Sequence, residues 1–390
     1  MPEDPCFHTV GEGPTDLLVL AGEASGDEHA ADLVEKLLSH SPQLKVVSMG
    51  GPCLQEAGAA HLYGLADYAV VGIFEVLRNL TFFRRLMKQT VEWIRKNQPK
   101  VVMLVDYPGF NLRLAKVLKD EGISSKGGGE VRVLQYISPQ LWAWKPQRRF
   151  AMEKVLDGVG VLFPFEVGCY EDVDLPVSFV GHPFVAQGYE LPVGYREDGP
   201  LLLLPGSRVQ PVERILPAFL KAFEALSEEY PDLPAQLPVP DERIRALVES
   251  ILGQYSKVRD RVEVVGATDG LVARAALMSS GTMSFACALA GLPGVIAYKA
   301  HPITYWIGKR LVKIPHLGMA NVLLPDDPPY REFLQGAANG KSLSAELGQI
   351  LKEPKARNKA LSVSVKLRDI LTQAEDPGAV DWLIESGALE

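Results

Sequence analysis

The sequence predicts an α/β protein with two parallel β-sheets, on the strength of three observations. Short apolar runs alternate with segments of helical periodicity in both halves of the chain, as βαβ units require. The 390 residues exceed what one typical core holds, which is about 100–200 residues. A stretch rich in Gly, Pro and charge at 188–199 separates the two sets of runs. We therefore expect two domains that divide near residue 187.

In the first half, each apolar run is short and lacks polar alternation, which is typical of strands covered on both faces of a parallel sheet. These runs predict strands at 17–21, 45–49, 101–105, 131–137, 159–163 and 178–180. Helical periodicity predicts helices at 28–39, 52–58, 82–97 and 111–121. After the first run, Ser25 is a candidate helix cap, and Gly22 and Gly26 let the backbone approach a ligand.

The second half repeats the alternation. Apolar runs predict strands at 201–204, 262–265 and 294–298. Periodic segments predict helices at 211–229, 241–254, 269–276 and 282–290, and the Pro-rich passage at 231–240 receives no element. The charged stretch at 352–366 predicts a helix face in water.

Composition narrows the possible functions. The formal net charge of −8 argues against broad nucleic-acid binding. Four cysteines follow neither a metal-binding nor a secreted disulfide spacing, so a reducing cytoplasm is expected. The first residues lack a signal peptide, and no run reaches the roughly 18 apolar residues of a membrane-spanning helix. Any membrane contact is therefore expected to be peripheral.

Two turns in the second half are candidates for binding phosphate. Gly206, Ser207 and Arg208 follow the strand at 201–204, and 280–282 precede a predicted helix. Helix N-termini attract phosphate, and an arginine adds a bidentate contact. Two such turns in one domain predict a diphosphate cradle. No G-x-G-x-x-G and no P-loop motif occurs, which argues against a dehydrogenase or a P-loop NTPase.

Asp106 directly follows the strand predicted at 101–105, and catalytic groups gather at such strand ends. A carboxylate there could accept a proton from an attacking hydroxyl. The alternative is an ordinary turn residue before Pro108. The nearby pair Trp142 and Trp144 suits either a sugar ring or plain packing, and Arg148 suits a phosphate.

The apolar stretch at 70–83 ends among arginines and predicts either a membrane-contacting surface or a core helix. His182 follows a predicted strand and is either a group lining the site or a hydrogen-bonded structural histidine. It has no second metal ligand at a suitable spacing, so no metal site is expected.

Taken together, these motifs resemble the lipid-A-disaccharide synthases over about residues 17–375. The segments that carry the resemblance are AGEASGD at 21–27, GGP at 50–52, VGIFEVL at 71–77, SPQLWAW at 138–144, LPGSR at 204–208 and SGT at 280–282. The resemblance implies the GT-B fold, with two Rossmann-like, doubly wound domains facing across a cleft. Residues 1–187 would contact the acceptor and the membrane, and 188–359 would bind the UDP-sugar. Helices from about 360–390 would return to the first domain.

The resemblance also implies the reaction. An inverting transfer joins UDP-2,3-diacylglucosamine to the 6-hydroxyl of 2,3-diacylglucosamine 1-phosphate, giving the β-1,6-linked disaccharide 1-phosphate and UDP. Asp106 would be the general base, with Glu23 a lesser candidate. The implied donor-binding residues are Gly206, Ser207, Arg208, Ser280, Gly281, Thr282 and Asn321. The implied acceptor or membrane residues are Ile73, Phe74, Val76, Leu77, Phe82, Phe83, Arg84, Arg85, Trp142, Trp144 and Arg148.

The family resemblance implies no cofactor and no metal, and it implies a peripheral enzyme on the cytoplasmic face of a Gram-negative inner membrane, with homodimerisation. One position departs from many GT-B enzymes, which carry a ribose-binding Glu four residues after the SGT threonine, where this chain has Ala286. Two alternatives stay open at this point. One is a soluble GT-B enzyme resembling UDP-N-acetylglucosamine epimerases, and the other is a non-catalytic UDP-sugar-binding protein.

Overall fold

The computed structural model describes residues 5–10, 13–66, 80–266, 270–301, 305, 306, 308, 310, 314–372, 378–387 and 389, with the backbone alone at 80. The chain divides into two compact units. Unit 1 comprises Met1–Pro183 and Gln373–Glu390, and unit 2 comprises Phe184–Thr372. No helix among the described residues is both long and apolar enough to cross a membrane.

Unit 1 is built on a parallel sheet of seven strands in the order β3-β2-β1-β4-β5-β6-β7. The strands are β1 (Leu17–Ala21), β2 (Val46–Met49), β3 (Ala60–Tyr63), β4 (Val101–Val105), β5 (Arg132–Tyr136), β6 (Gly158–Val161) and β7 (Val177–Phe179). All residues of β1 and β4 are buried, as the uninterrupted apolar runs predict. The helices are α1 (Ala24–His40), α2 (Pro52–Glu56), α3 (Leu80–Asn97), α4 (Pro108–Asp120) and α5 (Arg148–Glu153).

Unit 2 holds a parallel sheet of six strands in the order β11-β10-β9-β13-β14-β15, and β8 pairs with β12 beside it. The strands are β8 (Val193–Tyr195), β9 (Leu201–Leu204), β10 (Ala235–Val239), β11 (Val262–Gly266), β12 (Leu271–Ala273), β13 (Ala275–Met278), β14 (Gly294–Tyr298) and β15 (Arg331–Leu334). The helices are α6 (Val209–Glu229), α7 (Glu242–Leu252), α8 (Thr282–Leu289), α9 (Met319–Leu323), α10 (Gly340–Lys352) and α11 (Pro354–Thr372).

A last helix, α12 (Ala379–Gly387), belongs to unit 1 although it follows all of unit 2 in the chain. Its Trp382 is buried against β5 and β6, with its ring centroid 6.3 Å from that of Tyr136. A Cβ at Gly160 would lie 3.1 Å from the indole of Trp382. The small residue on β6 therefore makes room for the returning helix.

Two expected features in unit 2 are wrong. The segment expected to be a helix at 269–276 forms β12 and the start of β13. Its Ala and Leu residues favour helices, but β13 lies between β9 and β14 and is buried on both faces, so tertiary packing overrides propensity. The Pro-rich passage contains β10, which includes Pro238.

The helix cap expected in unit 1 is also wrong. The N-cap of α1 is Glu23, and its side chain makes no capping hydrogen bond. Ser25 lies inside the helix. The first turn of α1 thus begins closer to β1 than the predicted start at 28, and the acidic motif is part of the helix.

Candidate functional site

The carboxyl ends of β1, β4, β5 and β6 meet at one edge of the unit 1 sheet, because all four strands are parallel neighbours. Four sequence motifs follow these strand ends directly. They are 22–27 after β1, 106–111 after β4, 137–144 after β5 and 162–166 after β6. The topology therefore brings Asp106, Glu23 and the aromatic segment to the same side of unit 1.

Asp106 sits in an unusual turn. It has a φ of 42° and Tyr107 has a φ of 43°, both in the left-handed region that residues with a Cβ rarely occupy. The backbone N–H of Asp106 donates to the carbonyl of Tyr136 at 3.1 Å. The ring of Tyr107 lies against Gly22, where any Cβ would overlap it. Glycine at position 22 therefore leaves the space that the ring of Tyr107 occupies.

Charged groups surround Asp106. Burial lowers the pKa of Arg148, and the negative charge of Asp106 opposes that change. Burial raises the pKa of Glu166 to about 7, against the hydrogen bonds that it accepts, and the charge of Asp106 raises it further. Burial also raises the pKa of Tyr107, with a contribution from the charge of Glu23. The charge of Asp106 thus acts on both Arg148 and Glu166, while the charge of Glu23 acts on Tyr107, the residue after Asp106.

Glu166 is a buried group that sequence reasoning missed. It lies in the 3₁₀ helix Pro164–Tyr170, which follows β6. Its Oε2 accepts the N–H of Phe163 at 3.2 Å, and its Oε1 accepts the indole N–H of Trp142 at 3.2 Å. The only signal in the sequence is a glutamate three residues after an apolar strand end, which resembles a helix cap.

The two tryptophans have different surroundings. Trp142 is half-buried and packs edge-on against Phe165, with centroids 5.6 Å apart. Trp144 is exposed, and Lys145 Nζ lies 4.3 Å from its ring centroid. Arg148 is 5.8 Å from the same ring. Trp144, with Lys145 and Arg148 close to its ring, therefore offers an aromatic and cationic surface that suits a phosphorylated sugar. The indole N–H of Trp142, in contrast, is used in the hydrogen bond to Glu166.

Asp27, at the end of the first motif, is buried and holds the second motif. Its carboxylate accepts the N–H of Gly51 at 2.6 Å and that of Cys53 at 2.9 Å. A Cβ at Gly51 would lie 2.6 Å from Asp27 Oδ2. Asp27 thus satisfies free N–H groups at the start of α2, and its role is structural.

His182 is buried beside His29 and Phe163, at ring-centroid distances of 6.1 and 5.2 Å. Burial lowers the pKa of His182 to about 3, and the neighbouring His29 contributes in the same direction. Burial lowers the pKa of His29 to about 4. Both imidazoles are therefore neutral at physiological pH, which favours the structural alternative for His182.

The predicted membrane segment is described only in part. Ile73, Phe74, Val76 and Leu77 lie outside the described residues. On α3, Phe82 is buried in the core of unit 1 and Phe83 is half-buried against it. Arg84 and Arg85 are exposed. The helical period thus turns Phe82 inward and the two arginines outward.

In unit 2, the two predicted phosphate turns are neighbours. The turn 205–208 follows β9 and the turn 279–281 follows β13, and these strands pair in parallel. Gly206 has a φ of 111°, and a Cβ there would lie 3.3 Å from Ser279 Oγ. Arg208 is the exposed N-cap of α6. Gly281 is the N-cap of α8, and its N–H donates a hydrogen bond to Ser284 Oγ at 3.3 Å. Ser207 and Thr282 are exposed, and Ser280 is half-buried.

Asn321 is fully buried, and its whole amide is used within unit 2. Its Nδ2 donates to the carbonyl of Tyr330 at 2.8 Å and to Glu332 Oε1 at 2.7 Å, and its Oδ1 accepts the N–H of Tyr330 at 3.0 Å. Glu332 in turn accepts the N–H groups of Leu317 at 2.9 Å and Gly318 at 3.0 Å. Asn321 therefore shapes the segment before α9 rather than facing solvent.

Ala286 is also fully buried, inside α8. A glutamate at this position would place its carboxylate in the core of unit 2.

Among the described residues, no group of three or more His, Cys, Asp or Glu is arranged to hold a metal ion.

Comparisons with known proteins give consistent results. Residues 17–376 match the family described as lipid-A-disaccharide synthetase. The lipid-A-disaccharide synthase of Geobacter sulfurreducens is 36% identical over 355 residues, covering 87% of this chain and 88% of that protein. The enzyme of the same name from Coxiella burnetii, strain RSA 331, is 35% identical over 349 residues, covering 86% and 88%.

Solved structures show the same fold at low identity. The UDP-GlcNAc 2-epimerase of Neisseria meningitidis, bound to UDP-GlcNAc, has a TM-score of 0.59 at 10% identity, covering 92% of this chain and 100% of that one. The glycosyltransferase of kitacinnamycin has a TM-score of 0.59 at 13% identity, covering 96% and 100%. At these identities the likeness concerns the architecture alone.

Proposed function

The chain belongs to the lipid-A-disaccharide synthetase family, and within the reaction of this family we propose that Asp106 is the general base. The protein is an inverting glycosyltransferase with the GT-B fold. It joins UDP-2,3-diacylglucosamine to 2,3-diacylglucosamine 1-phosphate, and the products are UDP and the β-1,6-linked disaccharide 1-phosphate of lipid A biosynthesis.

The observation that carries the assignment of the base is the turn at the end of β4. A carboxylate is held there in a left-handed backbone conformation, and its charge influences the pKa values of Arg148 and Glu166. Strained conformations of this kind persist where the surroundings enforce them, and they cluster at active sites. Asp27, by contrast, has its carboxylate committed to the start of α2.

The proposed step is a single displacement. The oxygen of the acceptor 6-hydroxyl attacks the anomeric carbon of the donor, and Asp106 takes the proton of that hydroxyl. The new C–O bond forms on the face opposite UDP, and the bond from the anomeric carbon to the β-phosphate oxygen breaks. The electron pair leaves with UDP, so one inversion results.

We propose that the turns of unit 2 stabilise the departing diphosphate. Arg208 supplies a cation, Ser280 and Thr282 supply hydroxyls, and α8 supplies the positive end of its dipole. These groups would need no cofactor to carry the negative charge that develops on the leaving group.

We further propose that Trp144 and Arg148 contact the acceptor, its sugar ring and its 1-phosphate respectively. Arg84 and Arg85 are proposed to contact anionic headgroups at the cytoplasmic face of the inner membrane, because both are exposed on the same helix.

Homodimerisation is proposed from the family alone. A monomer mass measured by light scattering at micromolar concentration would contradict it.

The test of the base is Asp106→Asn, assayed by UDP release with the purified acyl-sugar substrates. General-base catalysis is typically worth about 100- to 10,000-fold, so we expect kcat to fall within that range while the circular dichroism spectrum is unchanged. Asp120→Asn, at the exposed end of α4, is the matched control and should keep full activity. Full activity in Asp106→Asn would remove Asp106 from the role of base.

The epimerase alternative is not favoured. The curated relatives at about 35% identity are synthases, whereas the epimerases share only the fold at 10–12% identity. We expect no interconversion of UDP-N-acetylglucosamine at its 2-position by the purified protein.

A further inference from the structure

Two buried amide side chains converge on the backbone carbonyl of Asp106. Asn111 Nδ2 donates to it at 2.9 Å, and Gln135 Nε2 donates to it at 3.3 Å. Both residues are fully buried. One comes from α4, four residues into the helix, and the other comes from the neighbouring strand β5. The turn that carries Asp106 is therefore held from two separate elements.

Asn111 connects the turn to the end of β4. The same Nδ2 that reaches Asp106 donates to the carbonyl of Val105 at 3.2 Å. The backbone N–H of Asn111 donates to the carbonyl of Tyr107 at 3.2 Å, as the helix begins. Asn111 thus spans the whole left-handed turn between β4 and α4.

Gln135 connects the turn to a second left-handed residue. Its Nε2 also donates to the carbonyls of Tyr136 at 3.4 Å and Ile137 at 3.1 Å. Ile137, which directly follows β5, has a φ of 67°, an uncommon value for a β-branched residue. One amide therefore holds the carbonyls that follow two adjacent strands, just where the chain leaves the sheet.

Both amides act only as donors within the described part of the chain. No described group donates to Asn111 Oδ1 or Gln135 Oε1, although both oxygens are buried. A buried acceptor without a partner costs about 1–3 kcal/mol, so an apolar side chain of the same shape would suit the core at least as well. The hydrogen bonds that the two amides donate to backbone carbonyls therefore explain why amide side chains occupy these positions.

We propose that Asn111 and Gln135 are positioning residues that fix the backbone of Asp106 and thereby aim its carboxylate at the acceptor hydroxyl. This inference depends on the role proposed above for Asp106. Both amides donate to the backbone carbonyl of Asp106, so both act through the peptide unit that Asp106 shares with Tyr107. Loss of either donor lets the strained turn relax toward ordinary backbone angles.

The test replaces each amide by an apolar side chain of similar shape, in Asn111→Leu and Gln135→Met. We expect kcat to fall about 10- to 100-fold in each, since a displacement near 1 Å can cost about that much, while KM changes less than about 3-fold. The temperature of unfolding should fall, because buried backbone carbonyls lose a donor at a cost of about 1–3 kcal/mol, so kcat is measured where circular dichroism shows each variant fully folded. Gln89→Met is the matched control, because Gln89 lies on α3 and its Oε1 is likewise buried without a partner among the described residues.

A double-mutant cycle separates positioning from general damage. If Gln135 acts through Asp106, then Gln135→Met should add almost nothing to the loss already caused by Asp106→Asn. Losses that multiply in the double variant would overturn the proposal, as would unchanged kcat in both single variants. If either apolar variant fails to fold, Gln135→Asn, which keeps the amide but shortens its reach, is measured in the same way. It should show the same fall in kcat, and wild-type activity would overturn the proposal.

The failures of the two proposals are distinguishable. An active Asp106→Asn variant contradicts the base itself. An inactive Asp106→Asn variant together with a fully active Gln135→Met variant contradicts only the positioning role.

Discussion

The two units wind their sheets in the same order, yet they build opposite kinds of turn at the strand ends. In unit 1 the order β3-β2-β1-β4-β5 places Asp106 after β4, and in unit 2 the order β11-β10-β9-β13-β14 places Ser280 after the equivalent β13. The turn of Asp106 is left-handed and held by buried amides. The turn at Gly281 is extended, with a φ of 172°, and its surroundings are open.

Burial shifts pKa values in both units, but the kinds of group that it affects differ. In unit 1, burial moves the pKa of Glu166 up to about 7 and the pKa values of His29 and His182 down to about 4 and 3. In unit 2, burial raises the pKa of the Cys287 thiol to about 12 and lowers that of Lys299. The half-buried Glu332 accepts several N–H groups.

The roles proposed above assign a different chemical task to each of the two turns. Unit 1 uses strain and desolvation, which suit a group that must gain a proton at a fixed position. Unit 2 presents backbone N–H groups, hydroxyls and an arginine, which suit a diphosphate. Three further experiments test whether the two units differ in this way.

The largest effect is expected when an acid is introduced into unit 2. Ala286→Glu would place a carboxylate in the fully buried core of α8, where an unpaired charge costs about 3–5 kcal/mol. Calorimetry should show a strongly lowered unfolding temperature. Ala345→Glu, exposed on α10, is the control and should change little. A stable Ala286→Glu variant with tighter UDP binding would mean that unit 2 can accommodate a ribose-binding acid there.

A smaller effect is expected from adding one methyl group to each unit. Gly22→Ala would push its Cβ into the ring of Tyr107 and so disturb the turn of Asp106. We expect about 1–3 kcal/mol of lost stability and at least a 10-fold lower kcat. Gly281→Ala has open space and an extended φ, so its stability should stay within about 0.5 kcal/mol of the wild type. Equal losses in the two variants would remove the distinction between a strained and an open turn.

The smallest effect concerns acid stability, which should depend on unit 1. Because the pKa of His182 falls from 6.5 to about 3 on folding, the unfolded chain binds more protons between these values. The contribution of neutral His182 to the free energy of unfolding is complete above pH 6.5 and is lost as the pH falls toward 3. The loss between pH 7 and pH 5 is about 2 kcal/mol.

Denaturant unfolding at the two pH values checks this expectation. His182→Gln should lessen the fall in stability between pH 7 and pH 5, whereas His40→Gln, exposed at the end of α1, should leave it unchanged. An unaltered pH dependence in His182→Gln would show that the histidine pair contributes nothing to the acid sensitivity of unit 1.

The pattern of apolar residues was sufficient to locate strands that the parallel sheets bury on both faces. The runs at 17–21, 101–105, 201–204 and 294–298 form strands with those bounds, because a doubly covered strand must be apolar at every position. The positions of Asp106 and Arg208 at strand ends followed from the same pattern. Membership of the family was also readable from local motifs, and the matching family confirmed it.

Other features depend on contacts between residues that are distant in the sequence. β13 became a strand because burial between β9 and β14 outweighed the helix propensity of its residues. Gln135 and Asp106 are 29 residues apart, and Glu166 and Trp142 are 24 residues apart, so no local pattern could reveal their hydrogen bonds. Periodicity reports which face of an element is buried, whereas the partner of a buried polar group depends on which strands become neighbours.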